Sequence, residues 1–321
     1  MLTGMFVEVA ASPRTTGAVA AARPGLARRL VRALPPYLYL VPAVAGLVMW
    51  VYRPLAQTVQ LSFYDWNLLP TTPAVPAGLD KYAQVLGLPE MRDALLNTLW
   101  YTLGLLPFSV LLPVAFALLT RAVRGRARDV YRSLIFVPML VAPVATAAVW
   151  RWLLHPEGGV VDRLFGVFGA DGPNWFRQPG TALAALILIS GWQLLGFSML
   201  VVSAGLAGIN AEYGQAAALD GASRWQAARM ITLPLLSPSL LFMVLMTVLL
   251  SAQWTFPLID MFTQGGPGTA TTNVYYLLWQ FGFRNFDTGV ASAAAVLFFA
   301  GFGVVAAAFL ALLNRFSFYD D

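Results

Sequence analysis

Six apolar runs, each long enough to cross the hydrocarbon core of a bilayer, constrain this chain more than any other feature. They fall at roughly 37–58, 97–120, 133–154, 181–202, 239–259 and 289–313, and a core about 30 Å thick needs about 20 helical residues at 1.5 Å each. Inside lipid a backbone amide or carbonyl has no water to bond, so the chain must satisfy its own polar groups within helices. The composition agrees, with 59% hydrophobic and 11% charged residues and a mean hydropathy of +0.69. The reading is an all-α polytopic membrane protein with six transmembrane helices. Pro42, Pro54, Pro107, Pro113, Pro138 and Pro143 fall within the runs. Neighbouring helices can re-satisfy the carbonyls that proline frees, so kinks are expected there and not breaks.

Charge placement orients the bundle. With the N-terminus inside, the cytoplasmic segments collect Arg14, Arg23, Arg28, Arg29, Arg32, Arg121, Arg124, Arg126, Arg128, Arg132, Arg224, Arg229 and Arg315, against Arg53, Lys81, Arg92, Arg151, Arg163, Arg177 and Arg284 outside. That asymmetry is what the positive-inside rule asks for, and it predicts a multi-pass protein of the cell membrane with both termini cytoplasmic. The basic arginines flank spans and form no stripe with interleaved aromatics, which argues against nucleic acid as a partner and for the lipid bilayer.

Four regions follow. Residues 1–36 are rich in Ala, Arg, Gly and Pro and form a cytoplasmic segment expected to be mobile or only locally helical around Leu26 to Leu34. A cleaved signal peptide fits poorly, because the run beginning at Tyr37 is too long for an h-region and lacks a small-x-small site after it. Residues 37–315 form the transmembrane domain, 203–238 a cytoplasmic loop within it, and 316–321 a cytoplasmic tail. The chain has no cysteine, which excludes a disulfide framework, a thiolate nucleophile and a cysteine metal site. The outer segments, about Gln60 to Asn97, His155 to Pro179 and Asp260 to Thr288, read as short caps, with Trp66, Tyr82, Trp175, Tyr275 and Trp279 near the interfaces.

Between Ala207 and Ser239 the chain is too polar to cross a bilayer, yet Gln215 to Asp220 and Gln226 to Ile231 contain good helix formers around Gly221. Two short helices with a bend are predicted. Ser223 and Gln226 fit a capping box for the second, and Pro234 is expected to separate that helix from the next span. A short helix joined at both ends to transmembrane helices can transmit a rigid-body push into the bundle.

The spacing of Ala216, Ala217, Gly221, Ile231, Leu233 and Pro234 resembles the EAA loop of bacterial ABC-importer permeases: EAA, three residues, Gly, nine residues, Ile-x-Leu-Pro. The surrounding AAALDGASRW and ITLPLLSPSL resemble the carbohydrate-importer branch, the maltose and glycerol-3-phosphate type. The outer stretch FTQGGPGTATTNVYYLLWQFGFRNFDTGVASAAAVLFF resembles most closely the A-type permease of glycerol-3-phosphate importers. The resemblance covers roughly residues 37–315 and implies the type I ABC importer permease fold. It also implies a second, related permease, a homodimeric pair of ATPase subunits that bind ATP and Mg, and an extracytoplasmic substrate-binding protein.

On this resemblance the ATPase-coupling residues are Glu212, Gln215, Ala216, Ala217, Asp220, Gly221, Ser223, Arg224 and Trp225. Two positions depart from the family pattern. Gln215 stands where the motif has glutamate, with Glu212 about one helical turn earlier, and Ala228 stands where an aromatic is common, so that Trp225 becomes the candidate apolar knob. The chain lacks the glycine-rich phosphate loop G-x-x-x-x-G-K followed by Ser or Thr, and its single lysine, Lys81, lies outside. It is therefore read as no enzyme, binding no cofactor itself, with the energy coming from a partner. The single histidine, His155, reads as an interfacial residue.

Polar side chains within spans are costly and become pathway candidates. Ser190, Gln193 and Phe197 share one face of the fourth run, with Trp192 beside them; Thr247, Ser251 and Trp254 share a face of the fifth, with Gln253 adjacent. The resemblance places the translocation site on these two helices. Hydroxyl, amide and aromatic groups suit a sugar-like or polyol substrate, while the bland alternative is interhelical hydrogen bonding. No arginine sits deep in a span. The resemblance points to glycerol-3-phosphate or a glycerophosphodiester, or to a sugar, with a maltose- or trehalose-type disaccharide as the alternative. A stand-alone secondary transporter would need intramembrane ionisable groups or an inverted repeat, and an intramembrane enzyme would need a nucleophile or metal motif; neither pattern is evident.

Overall fold

The computed structural model describes residues 38–122, 125–170 and 172–316. The N-terminal segment 1–36, with Arg14, Arg23, Arg28, Arg29 and Arg32, lies outside the described residues, as do Arg124 and residues 317–321 of the predicted tail. The chain divides into two compact units, Met1–Ala56 and Gln57–Asp321. The first contributes the start of an apolar helix, α1 (Leu38–Leu61).

In the second unit the described residues run through a small hairpin, β1 (Tyr64–Asp65) antiparallel to β2 (Val75–Pro76), then α2 (Asp80–Gly87). The next elements are α3 (Pro89–Thr120), α4 (Arg126–Leu140), α5 (Pro143–Leu153), α6 (Val160–Val167) and α7 (Pro179–Ala207). The chain closes with α8 (Ala211–Leu219), α9 (Arg224–Phe262), α10 (Val274–Trp279) and α11 (Thr288–Phe316). Among the described residues five helices are long and apolar enough to cross a membrane, and the count is six if the bent pair α4 and α5 is taken as one broken span. The centre is α7 against α9, with α3 packed on both, α4 on α7 and α5 on α9. Close approach of α3 and α7 depends on glycine: a Cβ on Gly104 would meet Ile187 Cγ2 at 2.7 Å and one on Gly191 would meet the Phe108 ring at 2.5 Å. Small residues at such crossings let backbones pack where lipid offers no hydrophobic drive between helices.

Proline explains both the continuity of three spans and the break in a fourth. Pro54, Pro113 and Pro234 each follow a π-turn, Val48–Tyr52, Pro107–Leu111 and Ala228–Thr232. In each case the residue just before the proline donates its amide five residues back, Arg53 to Val48, Leu112 to Pro107 and Leu233 to Ala228. The widened turn absorbs the missing donor and the ring bulk, so the helix continues. Pro143 has no such turn. It begins α5, and Val141 and Ala142 before it are extended, at ψ 129° and 135°, as the residue preceding proline prefers. The third span, expected to kink, is instead broken and bent by 97°. Pro234 is the opposite correction: it does not separate the short loop helix from the fifth span, because Arg224 to Phe262 is one helix of 39 residues. The second span also begins earlier than its apolar run, at Pro89, where proline suits the first helical turn.

Polar side chains of α3 stitch the irregular segment 263–273 and the start of α10 to the bundle. Asn97 Nδ2 donates to the Thr269 and Thr272 carbonyls at 2.8 and 2.9 Å, the Tyr101 hydroxyl donates to the Thr271 carbonyl at 3.0 Å, and Thr98 Oγ1 accepts from the Val274 amide at 3.0 Å. Asn273 is wholly buried. Its Nδ2 donates to the Ala252 carbonyl and to Thr255 Oγ1, both at 2.8 Å, and its Oδ1 accepts from the Tyr276 amide at 2.7 Å, capping α10. Lys81, nearly buried, ties the hairpin to the start of α11 through Asp65 at 3.0 Å and Asp287 at 3.8 Å. Burial pushes the Tyr276 hydroxyl up to about 12, with the Arg284 guanidinium lowering it and the Asp260 carboxylate raising it, so the hydroxyl stays protonated and donates to Asp260.

The loop between α7 and α9 has the predicted bend at Gly221 between two helices, α8 and the start of α9, but only α8 is short. Asn210 caps α8 by accepting from the Glu212 amide. The helix ends when the Ala222 amide reaches back to the Ala217 carbonyl at 2.9 Å and the Gly221 amide to Ala218 at 3.2 Å, with Gly221 at φ +80°. This is a Schellman end, and it requires a left-handed residue at position 221. Nothing lies within 4 Å of a Cβ built there, so the glycine is needed for its conformation and not for space. Ser223 and Gln226 form the capping box in both directions, at 3.3 and 2.8 Å.

Two outcomes are expected. Asn273→Ala orphans the Tyr276 amide and should cost about 1–3 kcal/mol, read as a lower thermal midpoint of the purified complex. Gly221→Ala should destabilise the end of α8 by about 1 kcal/mol, seen as faster amide exchange in residues 211–222 with the midpoint of the bundle unchanged.

Candidate functional site

Where the third span breaks, a cavity of about 300 Å³ opens between four helices. It is lined by Leu105 of α3, Met139 of α4, Val141 and Pro143 at the break, Ser190, Gln193, Leu194 and Phe197 of α7, and Trp254 of α9. None of these side chains is charged. The rings of Phe197 and Trp254 meet edge to face, with centroids 6.5 Å apart at 69°. They make an apolar, rigid wall of the kind on which the C–H face of a polyol or sugar can lie.

Gln193 and Ser190 differ in how they are used. Gln193 Nε2 donates to the Val141 carbonyl at 3.1 Å and to Thr146 Oγ1 at 2.8 Å. It therefore caps a carbonyl that the broken helix leaves open, and holds the start of α5. Ser190 Oγ is buried and has no hydrogen-bond partner among the described residues. A buried hydroxyl without a partner costs about 1–3 kcal/mol, and this one belongs to a residue lining the cavity.

Four of the eight pathway candidates thus meet at one cavity: Ser190, Gln193, Phe197 and Trp254. The other four lie elsewhere. Trp192 stands edge-on to Trp150 at 5.8 Å and is partly exposed. Thr247, wholly buried, donates to the Met243 carbonyl of its own helix at 2.7 Å. Ser251 pairs with Thr102 of α3 at 2.7 Å, an interhelical bond, and Gln253 is exposed. Apolar runs carry no signal for Leu105, Met139, Val141 or Leu194, which share the cavity only because the chain breaks beside them. Pro143 was the available signal for that break.

On the loop, Glu212, Gln215, Ala216, Asp220, Gly221, Ser223, Arg224 and Trp225 are all exposed, whereas Ala217 is buried. Glu212 accepts a bond from Asn210 Nδ2 at 3.2 Å. Trp225 is 68% exposed and stands with Leu219 at 90% and Met230 at 73%. Three large apolar side chains exposed around one capped turn make an adhesive surface. Trp225 belongs to the first turn of α9 and Trp254 to the cavity, 29 residues along one helix, or about 44 Å at 1.5 Å per residue.

The family model for binding-protein-dependent transport system inner membrane components matches residues 89–317. The chain is 31% identical to the sulfoquinovosyl glycerol transport system permease protein SmoG of Agrobacterium fabrum, over 86% of this chain and 89% of that protein. It is 27% identical to the sn-glycerol-3-phosphate transport system permease protein UgpA of Pectobacterium atrosepticum, over 82% of this chain and 88% of that one. Its fold matches a chain from the crystal structure of a bacterial ABC transporter involved in the import of the acidic polysaccharide alginate, with a TM-score of 0.80 at 22% identity over 91% of this chain and 99% of that one. With the six spans, the capped loop and these matches together, the chain belongs to the binding-protein-dependent transport system inner membrane components, the multi-pass permeases of ABC importers, and has their type I fold.

Proposed function

We propose that this permease forms half of the translocation pathway of an ATP-driven importer for a glycerophospho-compound or a sugar, beside a second, related permease. Two ATPase subunits, which bind ATP and Mg, grip the capped loop of each permease, and an extracytoplasmic binding protein delivers substrate. Both termini are placed in the cytoplasm on this reading, which the arginine asymmetry supports. The observation that carries this reading is the continuity of α9, which joins Trp225 at the exposed loop to Trp254 at the cavity in one helix. A push at the loop is carried to the cavity along that helix.

Several features support the assignment of roles. Trp225, Leu219 and Met230 offer the ATPase an apolar knob in place of the missing aromatic at position 228. Gln215 offers a neutral hydrogen bond where the motif has a carboxylate, and Glu212 retains a charge one turn away. Phe197 and Trp254 stack on the substrate, and the hydroxyl of Ser190 reads one of its oxygens. The relatives SmoG and UgpA are named for sulfoquinovosyl glycerol and glycerol-3-phosphate, both glycerol-bearing polyols. A maltose- or trehalose-type disaccharide, also a polyhydroxyl ligand, is the second reading that an uncharged cavity favours.

The direct test is ATPase activity of the complex, co-expressed with the products of neighbouring genes and placed in nanodiscs, as binding protein loaded with glycerol-3-phosphate, glycerophosphocholine, maltose or trehalose is added. Stimulation by one loaded form is expected; no stimulation, with this chain purifying alone and conducting flux, would sink the proposal. Trp225→Ala should cut stimulation about tenfold or more while leaving binding-protein affinity unaltered. Trp254→Ala should raise the KM for transport about tenfold, and Ser190→Ala about threefold or more; equal transport in both variants would remove the cavity from the pathway.

A further inference from the structure

A second concavity, of about 370 Å³, lies at the far end of α5 from the cavity just described. It is lined by Arg151, His155, Pro156 and Glu157 after the break, Asn174, Phe176 and Arg177 before α7, and Phe262 at the end of α9. Its polar character is donor-rich. Arg151 Nη1 donates to the Met261 carbonyl at 2.9 Å, which orients the guanidinium at the end of α9. Among the described residues the Arg177 side chain makes no hydrogen bond or ion pair, and neither arginine is paired with a carboxylate there. By contrast Lys81 is held by Asp65 and Asp287, and Arg284 by Asp260 and the face of Trp279 at 4.9 Å.

The remaining groups turn the concavity toward an anion. His155 Nδ1 accepts from the Glu157 amide at 3.3 Å, which leaves Nε2 as the ring donor. Asn174 Oδ1 is occupied by the Phe176 and Arg177 amides at 3.2 and 3.1 Å, fixing the turn that presents Arg177. Phe176 and Phe262, with centroids 4.9 Å apart, form an apolar floor. Glu157 is the only acid among the lining residues. Arginine forks match planar and tetrahedral oxyanions in two-bond geometry.

We propose that this pocket receives the oxyanion of the transported polyol, a phosphate, sulfonate or carboxylate, at the outer mouth of the pathway. The inference rests on the importer reading above and adds the charge class of its substrate. The cavity at Ser190 and Trp254 has no charged lining residue, so an anionic substrate would find its cationic partner here. Arg151 lies eight residues from Pro143 on one helix, about 12 Å, so the two pockets mark successive stops along α5. The pocket is open to solvent, which makes the attraction sensitive to salt.

The test is uptake by proteoliposomes holding the complete transporter, with glycerol-3-phosphate as the probe and its loaded binding protein outside. Arg177→Gln should raise the KM about tenfold and weaken its salt dependence, and Arg177→Lys should recover part of the loss. Arg151→Gln serves as the second variant and should behave as Arg177→Gln does. An unchanged KM in both glutamine variants, in a transporter that still imports the probe, overturns the pocket while leaving the importer reading standing. Failure to import any polyol removes both. A KM effect seen only in vesicles of phosphatidylglycerol, and absent in phosphatidylcholine, assigns the arginines to lipid headgroups and overturns the substrate assignment. So does a matching loss of affinity for the binding protein itself, measured by fluorescence titration.

Discussion

Backbone hydrogen bonds that cannot be left open in an apolar medium are the constraint on which this structure depends. Within the long helices the requirement is met by geometry alone. The informative places are those where the chain leaves the helix and a side chain covers the backbone groups left open. Gln193 covers the Val141 carbonyl at the broken third span. Asn97, Tyr101 and Thr98 cover the irregular stretch before α10, and Asn273 fills its own bonding capacity at the junction of α9 and α10. Where proline would open a carbonyl inside a span, a π-turn takes up the difference at Pro54, Pro113 and Pro234.

This division has a functional consequence. A π-turn beside Pro234 lets α9 continue from Trp225 to Trp254. Before Pro143 the chain is extended instead, and α5 leaves α4 at 97° beside the cavity. Continuity in one helix and interruption in the other follow from the same residue type in two backbone contexts. The polar residue that bonds across the interruption, Gln193, also lines the cavity.

The loop shows how a sequence motif encodes local physics. Its glycine is required because a Schellman end needs a left-handed residue, and its two alanines place one small buried contact, Ala217, beside one exposed position, Ala216. The departures at Gln215 and Ala228 do not touch this architecture. They alter only the chemistry that the loop exposes, and Trp225, Leu219 and Met230 are the large apolar groups exposed around it.

The sequence by itself determined the class of the protein, the order of its apolar runs, and the bend and caps of the loop, because hydrophobic run length, capping residues and glycine conformation are local quantities. Gly221, Ser223 and Gln226 could be read directly, and so could the shared face of Ser190, Gln193 and Phe197. Tertiary structure decided what local reading could not reach. Thr247 and Ser251 have the same hydroxyl chemistry as Ser190, yet they bond the Met243 carbonyl and Thr102 while Ser190 is left without a partner at a cavity. Thr247 turns back on its own helix and Ser251 reaches across to α3, and no periodicity along a single run records which of these a hydroxyl does. Whether Pro143 kinks or breaks its span, and whether Pro234 ends a helix or continues it, depended likewise on the turn that precedes each proline and on the neighbours available to satisfy the backbone it disrupts.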